Sequence, residues 1–495
     1  MKFTRIYTGL LLMGAVAFTN CKKVIDIEPE FVKDGSKIFT TLGEYEFALT
    51  GAYALTRQTG YFGSGGQTTS SWANLPDMMG DDLVQTAEDL GNWTPQVNWV
   101  YSSEEGDIGV AWQAAYSVVG EANLVLRNIE QFSTANAQQV NRIKGQALAI
   151  RAMAHFDVLR YWGVDFDRNS TSLGIPYVTA VDIELKPSRL TVKETWDNIF
   201  KDLLEAETLL GDVDKAVNGA TRTSFDRTAV RGLLARAYLY AKEYGKADQY
   251  ATTVITALPL ASRTAFPALW NSTSQSEVVL EVAFSNPTEG NPSSGVHVAS
   301  SNRNRFRPAT PLTNLYNLDN DVRVPSYFAS RATGNVTPPR PFLPFAGATA
   351  NARKVVNKYI TRGSTNDNVV NWKVMRTGEM YLIRAEARAM LGGANTVLAL
   401  ADLNDLRAAR VSGYVPVVLA GQPLIDAIME ERRKELFAEG HRWFDLKRTT
   451  RTINRTDIAV TSTKTTLAPT AREWAWPIPQ GEMDANPNMV QNPGY

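Results

Sequence analysis

Between Ala229 and Ala257 apolar side chains recur at the three- and four-residue steps of a helix face: Leu233, Leu234, Ala237, Tyr238, Ala241, Ala247, Ala251 and Val254. The same spacing predicts helix pairs elsewhere. Ile143–Tyr161 goes with Val192–Leu210, Glu379–Leu391 with Val397–Ala409, and Leu424–Phe437 with a short turn around Arg442–Arg448. Glu277–Phe284 alternates instead, which predicts a strand. Gly60–Gln67 is Gly-rich, and Asn286–Ser301 and Arg331–Asn351 are rich in Gly, Pro, Ser and Asn, the composition of long loops. The pattern is that of a mainly α protein: a helical frame with irregular excursions and a few short strands. A ligand site is expected on the excursions.

The 229–257 stretch also carries a repeat signature. Leu234, Ala235, Tyr238, Tyr244, Ala247 and Pro259 fall at tetratricopeptide spacings. Ala235 and Ala247 let two antiparallel helices approach, Tyr238 and Tyr244 fill the space beside them, and Pro259 ends the second helix. A tetratricopeptide-like superhelix is the expected scaffold. Such a scaffold is compatible with many ligands or none.

The N-terminus changes the picture. Lys2 and Arg5 precede an apolar run, Ile6–Phe18, that is shorter than the ~20 residues a membrane span requires. Residues 1–20 therefore read as a cleavable signal peptide. Cys21, the sole cysteine of 495 residues, follows at once. An exported thiol with no partner makes sense as a lipid attachment point, giving a lipoprotein that begins at Cys21. Lys+Arg and Asp+Glu are both 51; loss of Lys2 and Arg5 leaves 49 against 51, a net of −2. No basic excess is present to neutralise phosphates, so a nucleic-acid partner is not expected.

Catalytic patterns are missing. His155, His297 and His441 are far apart and none belongs to an H-E-x-x-H motif. There is no G-x-S-x-G elbow and no phosphate-binding Gly-Lys-Ser/Thr loop. His155 reads as structural. Asp319, Asn320 and Asp321 lack the spacing of a calcium loop, and no metal or other cofactor is expected. Glu430, Glu431, Arg432, Glu435, Glu439 and Arg442 read as ion pairs at helical spacings.

Aromatic residues stand out instead. Trp72, Trp93, Trp99 and Trp112 fall within 41 residues. Trp112 shares an apolar helix face with Tyr116, Val119 and Leu126, which makes it core. Trp93 and Trp99 lie in the polar segment G-N-W-T-P-Q-V-N-W after Asp81–Asp82. An indole face suits the C–H face of a pyranose, and amides and carboxylates suit its hydroxyls. The other reading is that these indoles plug the gap between loop and frame. A second candidate is Arg303–Arg307, where Phe306 is flanked by cationic donors, Arg305 among them.

The last third reads M-R-T-G-E-M-Y-L-I-R-A-E-A from Met375, L-N-D-L-R-A-A-R from Leu403 and E-E-R-R-K-E-L-F-A-E-G-H-R-W-F-D-L-K-R from Glu430. It closes on W-P-I-P-Q-G-E-M-D-A-N-P-N-M-V-Q-N-P-G-Y from Trp476. Upstream stand G-Q-A-L-A-I-R-A-M-A-H-F-D-V-L-R-Y-W-G from Gly145 and G-I-P-Y from Gly174, with D-V-R at Asp321 and K-Y at Lys358. This ordered set closely resembles the SusD/RagB family of Bacteroidetes outer-membrane nutrient-binding lipoproteins, over essentially the whole mature chain. The resemblance divides residues 21–495 into interlocked parts, an N-terminal one of about 22–230 and a C-terminal one of about 270–495.

The resemblance implies a tetratricopeptide-like frame bearing a loop-rich ligand lobe, lipidated at Cys21 and displayed on the outer membrane. The implied partner is a SusC-like TonB-dependent transporter, to which the protein hands a captured glycan without making or breaking a bond. Arg432, Glu435, Glu439, Arg442 and Asp445 would fix the last helix and its turn, and Trp476–Pro479 and Asn492–Tyr495 would seal the tail. Asp81–Trp99 corresponds to a region of sugar contacts. On that basis Trp93 and Trp99 are expected as stacking platforms, with Asp82, Gln96 and Asn98 as hydroxyl partners and Arg305 and Phe306 as second choice. The rivals are a RagB-like peptide binder, a surface glycosidase and a scaffold without a small ligand.

Overall fold

The computed structural model describes residues 39–64, 70–182, 184–211, 221–285, 289, 291–298, 303–331, 342–343, 345, 354–359, 369–459 and 462–495. Cys21, residues 1–20 expected as a signal peptide, part of 286–301 and most of 331–351 lie outside them. The helices in chain order are α1 (Leu42–Leu55), α2 (Leu75–Met79), α3 (Thr94–Val97), α4 (Gly106–Leu126), α5 (Ser133–Trp162), α6 (Val192–Leu210), α7 (Arg227–Tyr240) and α8 (Tyr244–Ala257). They continue as α9 (Thr310–Thr313), α10 (Arg323–Tyr327), α11 (Thr377–Leu391), α12 (Asn395–Arg410), α13 (Gly421–Glu435), α14 (Arg442–Arg448) and α15 (Gln480–Ala485). Among the described residues no helix is long and apolar enough to cross a membrane.

Three of the expected helix pairs form, α5 with α6, α7 with α8 and α11 with α12; α4 also packs on α5, α8 on α11 and α11 on α13. Arg442–Arg448, expected as a turn beside α13, is the short helix α14 and packs on α2. Local chemistry sets the ends. Thr191 caps α6 and Glu194 answers it, a complete capping box. The Asp226 carboxylate accepts the Ala229 amide at 2.7 Å to start α7. Along α6, Val192, Thr195, Trp196, Ile199, Phe200, Leu203, Ala206 and Leu210 are buried at helical steps. Where α5 packs against the end of α6, a Cβ on Gly145 would stand 2.9 Å from the Leu210 side chain. Tyr238 is the spacer the repeat pattern predicts: it stacks on Phe200 at 4.2 Å and on Tyr250 at 5.6 Å, so one aromatic file joins α6, α7 and α8.

Strands are short and serve as clasps. The antiparallel pairs are β1 (Leu83–Gln85) with β5 (Phe306–Pro308), β2 (Val278–Val282) with β9 (Trp372–Arg376), β3 (His297–Val298) with β4 (Arg303–Asn304), and β10 (Ile453–Asn454) with β11 (Thr466–Leu467). A three-stranded sheet runs β7 (Phe342–Leu343), β6 (Phe328–Arg331), β8 (Lys354–Val356). The predicted strand at 277–284 is β2, but its alternation does not translate into one wet face. Val278–Glu281 are all buried, since Val279 packs on Gly232 of α7 and Glu281 meets Lys373 of β9 at 2.7 Å.

Residues Ala48–Tyr495 pack as one unit. Within this unit Glu431, Glu435, Glu439 and Arg442 do not pair with one another at helical spacings as expected, but with residues of other elements. Glu431 bonds Arg323 and Arg407, Glu435 bonds Arg323, Arg376 and Arg410, and Glu439 bonds Arg376 and Lys358. Arg442 reaches Asp81 at 2.6 Å. The helical-spacing pairs here are Lys434 with Glu431 at 3.6 Å and Arg448 with Asp445 at 2.8 Å. The helix spacing was a by-product of α13 presenting one charged face inward. Arg432 does hold the turn after α13, through Asp445 at 2.8 Å. Gly440 shapes that turn: its φ is +80°, and a Cβ there would stand 2.3 Å from the Trp72 carbonyl oxygen.

The tail seals as the motifs imply. Trp476 is fully buried and stacks on Tyr161 at 3.8 Å. Trp162 donates to the Pro477 carbonyl at 2.9 Å, and the Asn492 amide donates to the carbonyls of Trp162 and Trp476. His155 is structural: its Nδ1 lies 3.0 Å from the Arg151 carbonyl, its Nε2 accepts from the Val178 amide, and its ring stacks on Tyr177 at 3.8 Å. Burial and the neighbouring Arg151 push it down to about 3, so it is a neutral ring at any ordinary pH.

Candidate functional site: the loop lobe and the open clefts

The 81–99 segment and the 303–307 segment meet, as β1 and β5 pair with Gln85 opposite Phe306. This brings Trp93, Arg305 and Phe306 together. The Arg305 guanidinium lies 3.8 Å from the Trp93 ring centre, and Phe306 lies 5.7 Å away on a tilted ring. Arg305 donates through Nε to Asp89 at 2.8 Å, and Asp89 also accepts from Gln85 at 2.7 Å. Burial pushes the Arg305 guanidinium down, with Asp89 opposing. The knot is closed but not saturated. Trp93 Nε1, Gln96 Oε1, Arg303 Nε, Asn304 Oδ1 and Arg305 Nη2 are buried without a hydrogen-bond partner.

Trp99 sits in a different cluster. Its backbone is left-handed, with φ 54°, and its Nε1 donates to the Met79 carbonyl at 3.0 Å. The Arg455 guanidinium covers its face at 4.0 Å and donates to the carbonyls of Gly80, Val97 and Met79. Burial pushes Arg455 down to about 9. Asn98 accepts the Thr463 amide at 3.1 Å. Asp82 is held by Arg433 at 2.6 Å, and Asp81 by Arg442. Burial would raise the Asp81 carboxyl, but Arg442 and Arg433 outweigh it and hold it low; for Asp82 burial wins and raises it.

All seven expected ligand residues are therefore interior: Trp93, Gln96 and Phe306 are 0 % exposed, Trp99 0 %, Asp82 and Asn98 1 % and Arg305 3 %. The two tryptophans expected as stacking platforms present no open face in this structure. One face of each indole carries a guanidinium, and the polar side chains among the seven are bonded within the chain or buried. Trp93 and Trp99 are packed inside the loop lobe in this structure. Sequence reasoning missed Arg455 because its partners lie far from it along the chain and its own surroundings, N-R-T-D, carry no motif.

Open space lies elsewhere. A cavity of about 620 Å³ is bordered by Asp319 and Asn320 with Phe328 and Phe345. A cleft of about 270 Å³ is bordered by Tyr53, Arg57, Phe225 and Glu281. A groove of about 690 Å³ opens between α4, the 176–187 segment and the start of α15. Among the described residues no group of three or more His, Cys, Asp or Glu is placed to hold a metal ion.

Comparison with known proteins settles the lineage. A profile described as the SusD family matches residues 348–495, and one described as starch-binding associating with outer membrane matches 65–239. The chain belongs to the SusD/RagB family. SusD-like protein P38 of Formosa agariphila is 24% identical over 558 residues, covering 100% of both chains. A SusD superfamily protein from Bacteroides thetaiotaomicron superimposes with a TM-score of 0.79 at 27% identity, over 92% of this chain and 100% of its own. A putative sugar binding protein from Bacteroides vulgatus gives 0.75 at 26% identity, over 92% and 99%. The stacked helix pairs and short clasping strands are thus the SusD fold.

Proposed function

We propose that this SusD/RagB member is a cell-surface glycan-binding lipoprotein of the outer membrane, anchored through lipid on Cys21, that captures oligosaccharide or polysaccharide and delivers it to a SusC-like TonB-dependent transporter. The observation that carries the reading is the match of residues 65–239 to a family described as starch-binding and outer-membrane-associated. The sugar binding protein among the structural relatives supports it. The chain carries no H-E-x-x-H, nucleophile elbow or phosphate loop, which favours binding over turnover. Several acyl chains on Cys21 would make the attachment effectively stable. Within this reading Trp93, Trp99, Asp82, Gln96, Asn98, Arg305 and Phe306 shape the wall behind the ligand surface.

The test is isothermal titration of residues 22–495 against soluble oligosaccharides, polysaccharides and peptides. Saturable binding to a saccharide is expected. Binding to peptides alone would replace this reading with that of a RagB-like oligopeptide-binding protein. Anchoring is read separately: Cys21→Ser should release the protein from the outer membrane, and affinity purification of the wild type should bring the transporter with it.

A further inference from the structure

The groove of about 690 Å³ is built differently from the walled-in tryptophans. Trp112 and Tyr116, one turn apart on α4, line it side by side at 4.7 Å. Trp112 is braced from below by Trp162 at 5.1 Å, and the Tyr116 hydroxyl is tied to the Pro176 carbonyl at 2.8 Å. Trp112 is core for most of its surface, as the sequence implies, yet 7 % of it remains open and Tyr116 is only half-buried. Polar groups flank the rings: the Gln113 amide, exposed on the same helix, and the carboxylates of Asp182 and Glu482. Among the described residues no lysine or arginine lines the groove.

Its glycines are informative. Gly106, Gly109 and Gly481 line it, and a Cβ at any of the three would meet nothing within 4 Å. No clash and no positive φ requires glycine there, unlike Gly145 or Gly440. Glycine inside a helix costs roughly 0.5–1 kcal/mol relative to alanine. At Gly109, inside α4, that cost has no structural return except the open space above it.

We propose that this groove is a binding site for a neutral saccharide. Fixed aromatic rings offer apolar surface to sugar C–H groups, while one amide and two carboxylates offer partners to hydroxyls. Two carboxylates with no cation among the described lining residues repel uronic acids and sulfated sugars, so the preferred ligand is uncharged. The volume falls in the range of about 300–1,000 Å³ typical of small-ligand sites. The inference rests on the glycan-binding reading and adds where the sugar sits and of what charge class it is.

The experiment uses residues 22–495 and titrates neutral gluco-, xylo- and manno-oligosaccharides, with oligogalacturonate as the acidic counterpart. Three variants follow on the saccharide that binds best. Gly109→Phe fills the groove and should weaken binding about tenfold or more. Gln113→Ala, which truncates the exposed amide, should weaken it about threefold. Gly245→Phe, on α8 where a Cβ also meets nothing within 4 Å, is the matched control and should bind as the parent does. Wild-type affinity in both Gly109→Phe and Gln113→Ala overturns the groove assignment and leaves the glycan reading standing. Preference for oligogalacturonate overturns the charge class. If the parent binds no saccharide of the panel, the glycan reading and the groove fall together. Should Gly109→Phe fail to fold, Gln113→Ala decides.

Discussion

The three arginines bonded to Glu435 are buried with every guanidinium nitrogen engaged; the arginine over Trp93 is buried with a nitrogen unpaired. Arg376 bonds Glu277, Glu435 and Glu439, Arg410 bonds Glu277 and Glu435, and Arg323 bonds Asp321, Glu431 and Glu435. None of these side chains has an unpartnered buried polar atom. Arg305 by contrast makes one carboxylate contact and leaves Nη2 unpaired beside the unpaired Trp93 Nε1. A saturated charge hub ties β9, α10, α12 and α13 into one body and tolerates no loss. The Trp93 knot fills volume between loop and frame with its polar atoms less completely paired, so removal of single atoms there is expected to be mild. The difference shows that burial of an arginine on an aromatic or acidic neighbour does not by itself say how much the fold depends on it.

The largest expected effect is at the hub. Glu435→Ala strands three guanidiniums and should cost about 3–5 kcal/mol in urea unfolding. A variant that unfolds at the parental midpoint would remove the distinction between the two regions. Next comes acid. Although burial pushes the Glu431 carboxyl up, Arg323, Lys434 and Arg407 hold it down at about 2, against an ordinary 4.5. A depressed carboxyl stabilises the fold above the unfolded value, and that contribution disappears as pH falls from about 4.5 through about 2. Thermal scans should show melting temperature dropping over that window, and Glu431→Gln should start lower at neutral pH and fall less steeply. The smallest effect separates the two indoles. Trp99→Phe forfeits the bond to the Met79 carbonyl, while Trp93→Phe removes an N–H that bonds nothing. The first should cost about 1 kcal/mol more than the second; equal costs would mean that the Trp93 knot is as saturated as its counterpart.

The helical frame was legible because its signals are local. Periodicity over Val192–Leu210 and from Ala229 to Ala257, and the stop at Pro259, each act within a few residues, and α6, α7 and α8 follow. The chain's tail was legible through its motif, since Trp476 and Asn492 bond the end of α5 as the family pattern implies. Long-range pairing was not. Nothing near Glu435 indicates that Arg376, Arg410 and Arg323 converge on it from three other elements, so helical spacing suggested the wrong partners. Nothing near Trp99 announces Arg455. A tryptophan among Asn and Gln reads alike whether a sugar or a guanidinium will cover it, because composition records the ring and not its neighbour. The groove was hidden for the complementary reason: Trp112 and Tyr116 carry the pattern of core, and the space beside them comes from glycines that leave no periodic trace.

The most direct measurement compares saccharide affinity in Trp93→Leu and Gly109→Phe, both checked for an intact fold by circular dichroism. If Trp93 is wall and the α4 groove is contact, Trp93→Leu keeps affinity within about twofold of the parent and Gly109→Phe loses about tenfold. Loss in Trp93→Leu with full binding in Gly109→Phe would contradict the account and return the site to the loop lobe.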